Sequence, residues 1–259
     1  MVTDRSPHSI LITGASSGLG EALAIAYAQP GNILHLIARN AGRLQAVAHA
    51  CVARGAVVHS ACIDVREREA MHCWIAAQDR HLPIDIAIAN AGISAGTGSE
   101  GESEAQAKAI FDVNVQGVLN SIWPLIPAME SRRFGTIALV GSLAGSYPIP
   151  SAPAYSASKA AIRYYGEALR VQLAASHVRV VMLYPGFIDT PMTRVNPFPM
   201  PQLMPVDIAA QRIIHAIACG KPRVFFPFLL SVLVRALHIL PASLVQKRFS
   251  SMPAKPRIS

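Results

Sequence analysis

The sequence predicts an α/β fold, a single doubly wound parallel sheet with helices on both faces. Short apolar runs alternate with longer amphipathic segments along most of the 259 residues, as in strand–helix units joined by right-handed crossovers. Hydrophobic residues make up 52% of the chain and charged residues only 15%, which excludes a disordered protein and indicates a heavily buried sheet. A chain of this length can form one domain with one large core.

The elements follow in order from the apolar runs. SILIT, at residues 9–13, is the first strand, and a glycine-rich turn then opens a helix over 20–28. Six further strands, expected to be apolar and buried on both faces, are predicted at 33–38, 56–61, 84–89, 135–140, 179–183 and 223–226. Helices are predicted between them at 40–54, 66–80, 104–129, 153–175 and 207–218. Residues 1–226 would form this domain, and 227–259 an extension with one extra apolar helix.

Cysteine and histidine spacing argues against disulfides and metal sites. The four cysteines contain no C-x-x-C pair and the nine histidines no H-x-x-x-H spacing, so we expect buried thiols in a reducing compartment and no metal. The opening residues, MVTDRSPHS, include an acid and only a brief apolar run follows them, which is unlike a signal peptide. A cytoplasmic location is therefore expected.

Positive charge is concentrated at the C-terminal end. The formal net charge is +8, yet residues 1–207 hold 15 basic and 15 acidic side chains, while 208–259 hold eight basic and no acidic ones. A nucleic-acid-binding face would be spread over the fold or mixed with aromatic residues, so no nucleic-acid partner is predicted. The charge instead flanks an apolar segment, which suggests contact with a membrane surface.

That apolar segment, FLLSVLVRALHIL at 228–240, predicts an amphipathic helix. Its polar residues Ser231, Arg235 and His238 would gather on one narrow face. A transmembrane span is not expected, because the stretch is short and Arg235 would lie in mid-membrane. Two uses stay open: a helix lying in the plane of an anionic membrane, or closure of a pocket or subunit interface.

The turn after the first strand has the sequence TGASSGLG at 13–20. Gly14, Gly18 and Gly20 let the backbone and a helix N-terminus approach a pyrophosphate, whose charge the helix dipole favours. Close packing without a ligand is the alternative interpretation. The position of the turn, directly after the first strand, favours the phosphate.

AYSASKAA, residues 154–161, holds a second pattern. Tyr155 and Lys159 lie four positions apart on the predicted helix and project from one face, with small residues around them. Taken alone, the pair is better explained as a surface Tyr–Lys pair on a small-residue helix that packs against another helix, because so short a pattern often arises by chance.

Further motifs decide between these interpretations, because the sequence resembles the short-chain dehydrogenase/reductase family from Thr13 to about Phe226. Beside the two patterns above, the motifs are ANAG at 89–92, VNVQG at 113–117, LVGS at 139–142 and YPGFIDT at 184–190. Ala89 departs from the family's N-N-A-G, and the asparagine that ties neighbouring strands together falls on Asn90. The resemblance implies a Rossmann-like fold, a nicotinamide-dependent oxidoreductase, and a homodimer or homotetramer.

The resemblance also assigns catalytic roles to Ser142, Tyr155, Lys159 and Asn114. Tyr155 would be the acid–base group, since a nearby ammonium stabilises its phenolate. Lys159 would also bind the nicotinamide ribose, Ser142 would hold the substrate oxygen, and Asn114 would continue a proton path through water. The residues expected to bind the cofactor are Gly14, Ser16, Ser17, Gly18, Leu19, Gly20, Arg39, Asp64, Val65, Asn90, Ala91, Gly92, Tyr155, Lys159, Pro185, Gly186, Ile188 and Thr190.

The choice of cofactor is read after the second strand, HLIARN. An acidic residue there would bind the adenosine ribose hydroxyls and repel a 2′-phosphate. This chain has Arg39, a planar cation that suits the phosphate, so NADP(H) is expected in preference to NAD(H). The alternative is a solvated surface arginine.

The substrate is expected to be an apolar ketone, aldehyde or alcohol. Residues 191–205, PMTRVNPFPMPQLMP, form one long irregular stretch that would act as a lid. Its adaptable apolar side chains are Met192, Phe198, Met200, Leu203 and Met204. A lid that packs only on itself is the alternative, and a dinucleotide sensor or a membrane-surface scaffold are the non-catalytic alternatives for the whole chain.

Overall fold

The computed structural model describes residues 8–98 and 101–237, which form one parallel sheet with the strand order β3-β2-β1-β4-β5-β6-β7. The strands are β1 Ser9–Thr13, β2 Ile33–Ala38, β3 Val57–Cys62, β4 Ile86–Ala89, β5 Gly135–Val140, β6 Val178–Pro185 and β7 Arg223–Phe226. The chain winds outward in both directions from the β1–β4 pair, where the strand order reverses. The predicted doubly wound parallel sheet is confirmed.

Helices connect the strands. They are α1 Gly18–Tyr27, α2 Ala41–Val52, α3 Arg68–His81, α4 Glu104–Phe111, α5 Gly117–Ile122, α6 Ile126–Arg132, α7 Pro153–Leu173, α8 Pro191–Arg194, α9 Val206–Ala218 and α10 Phe228–Ala236. The helical stretch predicted at 104–129 is interrupted twice. A π-helical turn, Asp112–Gln116, joins α4 to α5, and a turn at 123–125 separates α5 from α6.

Two apolar layers cover the sheet, because successive strand residues point to opposite faces. Ile10 and Ile12 of β1 pack in one layer with residues of α1, α2 and α9. Leu11 packs in the other layer with residues of α3, α5 and α7. Both faces are thus closed to solvent, and the edge at the carboxyl ends of the strands is left for a site.

The prediction that every strand is buried is wrong for β3. Its residues are half-buried or exposed, and Val57 is 52% exposed. β3 pairs only with β2, since it is one of the two outer strands of the sheet, and polar His59 and Ser60 occupy its middle. The prediction is also wrong for β7, the other outer strand, where Arg223 is exposed and only Phe226 is buried. An outer strand with polar side chains resists pairing with another molecule.

The prediction of buried thiols holds for one cysteine and is wrong for three. Cys51 is buried, whereas Cys62, Cys73 and Cys219 are exposed, and all four are free. Cys62 is the last residue of the outer strand β3, and Cys219 is the C-cap residue that follows α9.

The helix predicted from residue 228 is present as α10, packed against the end of the sheet. Leu230 lies against Gly186: a Cβ added to Gly186 would lie 2.9 Å from the side chain of Leu230. Ser231 is 1% exposed, so this polar residue faces the protein rather than solvent. The side chain of Arg235 and all of His238 lie outside the described part. Of the helices within 8–98 and 101–237, none has the length and apolar character that crossing a bilayer requires.

Candidate active site

A cleft of about 280 Å³ opens at the carboxyl edge of the sheet. Its walls are the turns that follow strands β1 to β6, as expected for ligand sites in doubly wound sheets. Of the predicted site residues, all line the cleft except Gly20 and Asn114. The sequence interpretation did not single out several other lining residues: Ala38, Arg43, Ile63, Ile93, Val113, Val140, Gly141, Pro191 and Thr193.

The glycine-rich turn has the shape that its sequence requires. Gly14 and Gly18 have φ of 69° and 56°, which favours glycine. Gly18 also faces Thr190, whose side chain would lie 3.3 Å from an added Cβ. Gly20 does not face the cleft: a Cβ there would lie 2.2 Å from the carbonyl oxygen of Gly14. Gly20 therefore lets α1 pack on the turn, while Gly14 and Gly18 leave an open cradle at the N-terminus of α1.

Asn90 joins the ends of β4 and β1. Its Nδ2 donates to the carbonyl oxygen of Thr13 at 3.0 Å, and the Thr13 hydroxyl accepts the N–H of Asn90 at 3.2 Å and that of Ala91 at 3.3 Å. The strand-tying role implied for this asparagine matches these contacts, which fix the floor of the cleft. Ala89, the position that departs from the family motif, is a buried residue of β4.

Tyr155 and Lys159 project into the cleft from the first turns of α7. The ammonium of Lys159 lies 5.9 Å from the centre of the Tyr155 ring and donates to the carbonyl oxygen of Val140 at 2.8 Å. Ser142 follows β5, hydrogen-bonds Tyr155, and accepts the N–H of Ala144 at 3.1 Å. The three polar groups that the sequence predicted to act together are therefore adjacent.

Burial shifts the pKa values of Tyr155 and Lys159 in the directions that favour their neutral forms. Desolvation lowers the pKa of Lys159 from 10.5 to about 8. Desolvation also raises the pKa of Tyr155, and its hydrogen bond with Ser142 acts in the opposite direction. In the protein alone Tyr155 is therefore a protonated phenol at neutral pH, ready to donate a proton.

Asn114 lies behind this group, fully buried in the π-helical turn. Its Oδ1 accepts the N–H of Ile93 at 2.8 Å, and its Nδ2 donates to the carbonyl oxygen of Ile93 at 2.9 Å. The same Nδ2 donates to the Ser158 hydroxyl at 3.1 Å. The side chain thus links the end of β4 to α7, and π-helical turns often mark functional sites. Ser158 was not recognised from the sequence, although it lies within the Y-S-A-S-K motif.

Two arginines flank the part of the cleft beyond β2. Arg39 and Arg43 both line it, and neither takes part in an ion pair among residues 8–98 and 101–237. The nearby carboxylate of Asp64 is paired with Arg66 at 2.8 Å, and this contact lowers its pKa. Positive charge therefore predominates here. Arg43 could have been found from its place in the first turn of the helix that follows β2.

The predicted lid differs from the structure in two respects. It is not irregular throughout, since Pro191–Arg194 form α8, and the Asp189 N–H donates to the carbonyl oxygen of Met204 at 2.9 Å. Its apolar side chains do not all face the cleft: Met192 lines it, whereas Met204 belongs to the core. Of the five apolar residues named in the predicted lid, Met192 is the one that lines the cleft.

Comparisons with known proteins agree with this architecture. The family described as short chain dehydrogenase matches residues 8–197. An uncharacterized oxidoreductase of Myxococcus xanthus is 35% identical over 241 residues, which are 93% of this chain and 95% of the relative. The chain therefore belongs to the short-chain dehydrogenase/reductase family, whose members are nicotinamide-dependent oxidoreductases.

Solved structures show the same fold. A short chain dehydrogenase of Burkholderia cenocepacia in complex with NADP is 28% identical, with a TM-score of 0.79, and the match covers 95% of this chain and 98% of that one. A short chain dehydrogenase of Mycobacterium paratuberculosis bound to NAD is 22% identical, with a TM-score of 0.73, and the match covers 82% and 90% of the two chains. Both cofactors thus occur among proteins of this fold.

Proposed function

We propose that this protein is an NADP(H)-dependent oxidoreductase that interconverts an apolar ketone or aldehyde and the corresponding alcohol. One observation carries the proposal: Tyr155 meets Ser142 and Lys159 in a cleft whose opposite end is the glycine cradle at α1. The cradle fits a dinucleotide, because Gly14 and Gly18 leave the helix N-terminus open to a pyrophosphate. The bound reduced cofactor supplies the hydride.

Tyr155 supplies the proton in this proposal. Carbonyl reduction needs a proton at the carbonyl oxygen. Burial raises the pKa of the Tyr155 phenol, so the phenol is protonated at neutral pH and can supply this proton. The Ser142 hydroxyl holds the same oxygen and stabilises charge that develops on it. Lys159 places a buried positive charge beside the phenol, which limits the rise in free energy when Tyr155 becomes a phenolate.

Asn114 is proposed to act by position. Its contacts with Ile93 and Ser158 fix the end of β4 against the helix that carries Tyr155 and Lys159. An added Cβ on Gly92 would lie 3.2 Å from Asn114 Oδ1 and 3.5 Å from Lys159 Nζ. The two side chains therefore border the same narrow space, which is where the proposed proton path would run.

The preference for NADP(H) rests on charge. Arg39 and Arg43 line the cleft beyond β2, the only nearby carboxylate within the described ranges that lines it is Asp64, and that group is already paired with Arg66. A 2′-phosphate there would meet two guanidinium groups and little repulsion. The NADP complex of the Burkholderia relative supports the same choice.

The apolar nature of the substrate rests on the side chains that share the cleft with Tyr155. Ile93, Ile188 and Met192 line this region. None of them offers a charged group to a substrate, so shape and hydrophobic contact would select it.

The proposal is tested by oxidation of NADPH and NADH in the presence of apolar ketones, β-ketoacyl thioesters, sugars and small aldehydes. We expect turnover with NADPH and apolar carbonyls, and much less with sugars. No turnover with any carbonyl, or equal turnover with both cofactors, would contradict the corresponding part of the proposal. Cofactor binding, followed by fluorescence, separates a wrong substrate panel from a wrong cofactor.

A further inference from the structure

We propose that the exposed face of α10 docks this protein on the surface of an anionic lipid membrane. The proposal concerns a surface outside the cleft and does not depend on the proposed reaction. It rests on three observations: exposed apolar side chains, the charge of the surrounding sequence, and a direct contact between α10 and the segment that covers the cleft.

The outward face of α10 is apolar. Phe228, Leu229, Val232 and Leu233 are 76%, 67%, 44% and 59% exposed. The one hydroxyl of this helix, on Ser231, is buried and donates to the carbonyl oxygen of Phe228. Leu230 packs inward against the end of the sheet, so the helix has apolar side chains on its outward face as well as on its inward face, unlike a surface helix whose outward face is polar. A clustered apolar face of this kind marks an interaction surface.

The sequence around this face carries charge of one sign. From residue 208 to the C-terminus there are eight Lys and Arg residues and no Asp or Glu. Arg223 is paired with Glu167 of α7, and five of the other seven basic residues lie within α10 or after it in the sequence. Apolar contact combined with basic residues is the combination that holds a helix in the plane of an anionic bilayer. Each basic residue near such a surface adds about 1 kcal/mol of attraction.

The same charge argues against a second copy of this chain as the partner. In a symmetric dimer the two α10 surfaces would face each other, because a two-fold interface uses the same patch on both subunits. Each copy carries the same excess of basic residues in the sequence from 208 onward, and like charges oppose association. Negatively charged lipid head groups have the complementary sign.

The docking face is connected to the cleft. Gln202, in the segment between α8 and α9, accepts the N–H of Leu230 at 3.3 Å through its Oε1. The side chain of Leu230 reaches Gly186, which lines the cleft. Exposed Met192 and Leu203, 38% and 42% accessible, lie on the covering segment itself. A membrane bound at α10 would therefore lie beside the segment that covers the cleft.

The test is co-sedimentation of the full chain with two kinds of vesicle, phosphatidylcholine alone and phosphatidylcholine with phosphatidylserine. We expect pelleting with the serine lipid only, and release when the ionic strength is raised. The variant Leu229→Ser/Leu233→Ser should bind at least about tenfold more weakly, since two exposed leucines no longer enter the bilayer. Val52→Ser/Val57→Ser, which changes exposed apolar residues at the opposite edge of the sheet, is the matched control and should pellet like the unchanged protein.

Three results would overturn the proposal: no pelleting with the serine lipid, equal pelleting of the Leu229/Leu233 variant, or equal loss in the control. Light scattering identifies the alternative. If the Leu229/Leu233 variant loses an oligomeric state that the control retains, and the unchanged protein does not pellet, the α10 face is a subunit interface. Far-ultraviolet circular dichroism checks that every variant is folded.

Discussion

Lys159 illustrates at the level of one residue how the requirements of the proposed active site oppose the stability of the fold. Lys159 is buried, with 4% of its surface exposed, and its ammonium donates a hydrogen bond to the carbonyl oxygen of Val140. Desolvation lowers its pKa to about 8, so the folded protein holds the charged form at a disadvantage. A group kept for its charge in a buried place destabilises the fold that holds it.

We predict that Lys159→Met stabilises the cofactor-free protein at pH 7 while turnover is lost. The folded-state pKa is below the ordinary 10.5, so between about pH 8 and 10.5 the folded state binds fewer protons than the unfolded chain. The stability of the unchanged protein therefore rises with pH in that window. The variant should be more stable by about 2 kcal/mol at pH 7, and the difference should shrink towards pH 9.5.

Urea unfolding of both proteins at several pH values measures this difference. Lys159→Arg is the control. The arginine keeps a buried positive charge at this position, so its free energy of unfolding should not gain from the removal of a charge. A variant with Met that is less stable at pH 7, or a difference that grows with pH, would show that the buried ammonium does not oppose folding.

Arg39 and Arg43 are the residues on which the choice of cofactor is predicted to depend. Replacing either by Ser removes a charge-assisted contact to the 2′-phosphate, so NADPH affinity should fall about 10- to 100-fold while NADH affinity changes little. Arg80→Ser is the matched control, because this exposed arginine lies at the far end of α3. Fluorescence titration with both cofactors gives the answer, and a parallel loss of NADH affinity would indicate a general effect on the cleft.

Helix α7 shows at the level of an element how the side chains proposed to be catalytic are oriented. Its N-cap, Ala152, has no side chain that can cap it. Glu102 performs that task from another segment, since its Oε2 accepts the N–H of Ala154 at 3.1 Å. The Thr97 N–H also donates to the carbonyl oxygen of Ser151 at 3.0 Å. The segment after β4 therefore holds the start of the helix on which Tyr155 and Lys159 lie.

We predict that Glu102→Ala lowers the free energy of unfolding by about 1 kcal/mol, as loss of a helix cap usually does. The reaction rate should fall as well, because the first turn of α7 carries Tyr155. Glu104→Ala is the matched control: Glu104 is an exposed acid two positions away, in the first turn of α4. Urea unfolding and steady-state kinetics measure the two effects, and equal behaviour of the two variants would contradict a capping role for Glu102.

Local sequence patterns predicted the strands of the sheet well where one face or both faces of the strand are buried. The alternation of apolar runs gave the position of β1, β2, β5 and β7 to the residue, because each is framed by turn residues and packs against a helix. The patterns could not show which strands lie at the two edges, so the exposure of β3 and the partial exposure of β7 were missed. The patterns also could not show that Met204 enters the core while Met192 faces the cleft. The positions of these two side chains depend on contacts between residues that are distant in sequence.

The candidate site was predictable to the extent that its residues lie in short motifs. Gly14, Gly18, Asn90 and the Tyr155–Lys159 pair were recognised in this way. Arg43 and Glu102 lie outside the motifs and reach the site only through the fold. Gly20 belongs to a motif, but it does not line the cleft. A glycine is needed there because α1 packs closely against the carbonyl oxygen of Gly14.

The whole molecule places two halves of a sheet around one cleft. Gly14 and Arg39 come from the half that begins with β1, while Ser142 and Thr190 come from the half that follows β4. A ligand that spans the cleft therefore contacts both halves, and its binding is linked to the stability of the entire fold. Binding can therefore be followed through the stability of the protein, while catalysis is followed separately through turnover.

The measurement that tests the account most directly compares Tyr155→Phe with the unchanged protein on the best carbonyl substrate. The variant loses one hydroxyl and leaves the glycine turn unchanged, so NADPH should still bind and raise the melting temperature equally. Turnover should fall by at least about 10²-fold, the usual contribution of a general acid. Retention of most of the kcat by this variant, with NADPH bound as in the unchanged protein, would show that Tyr155 is not the proton donor.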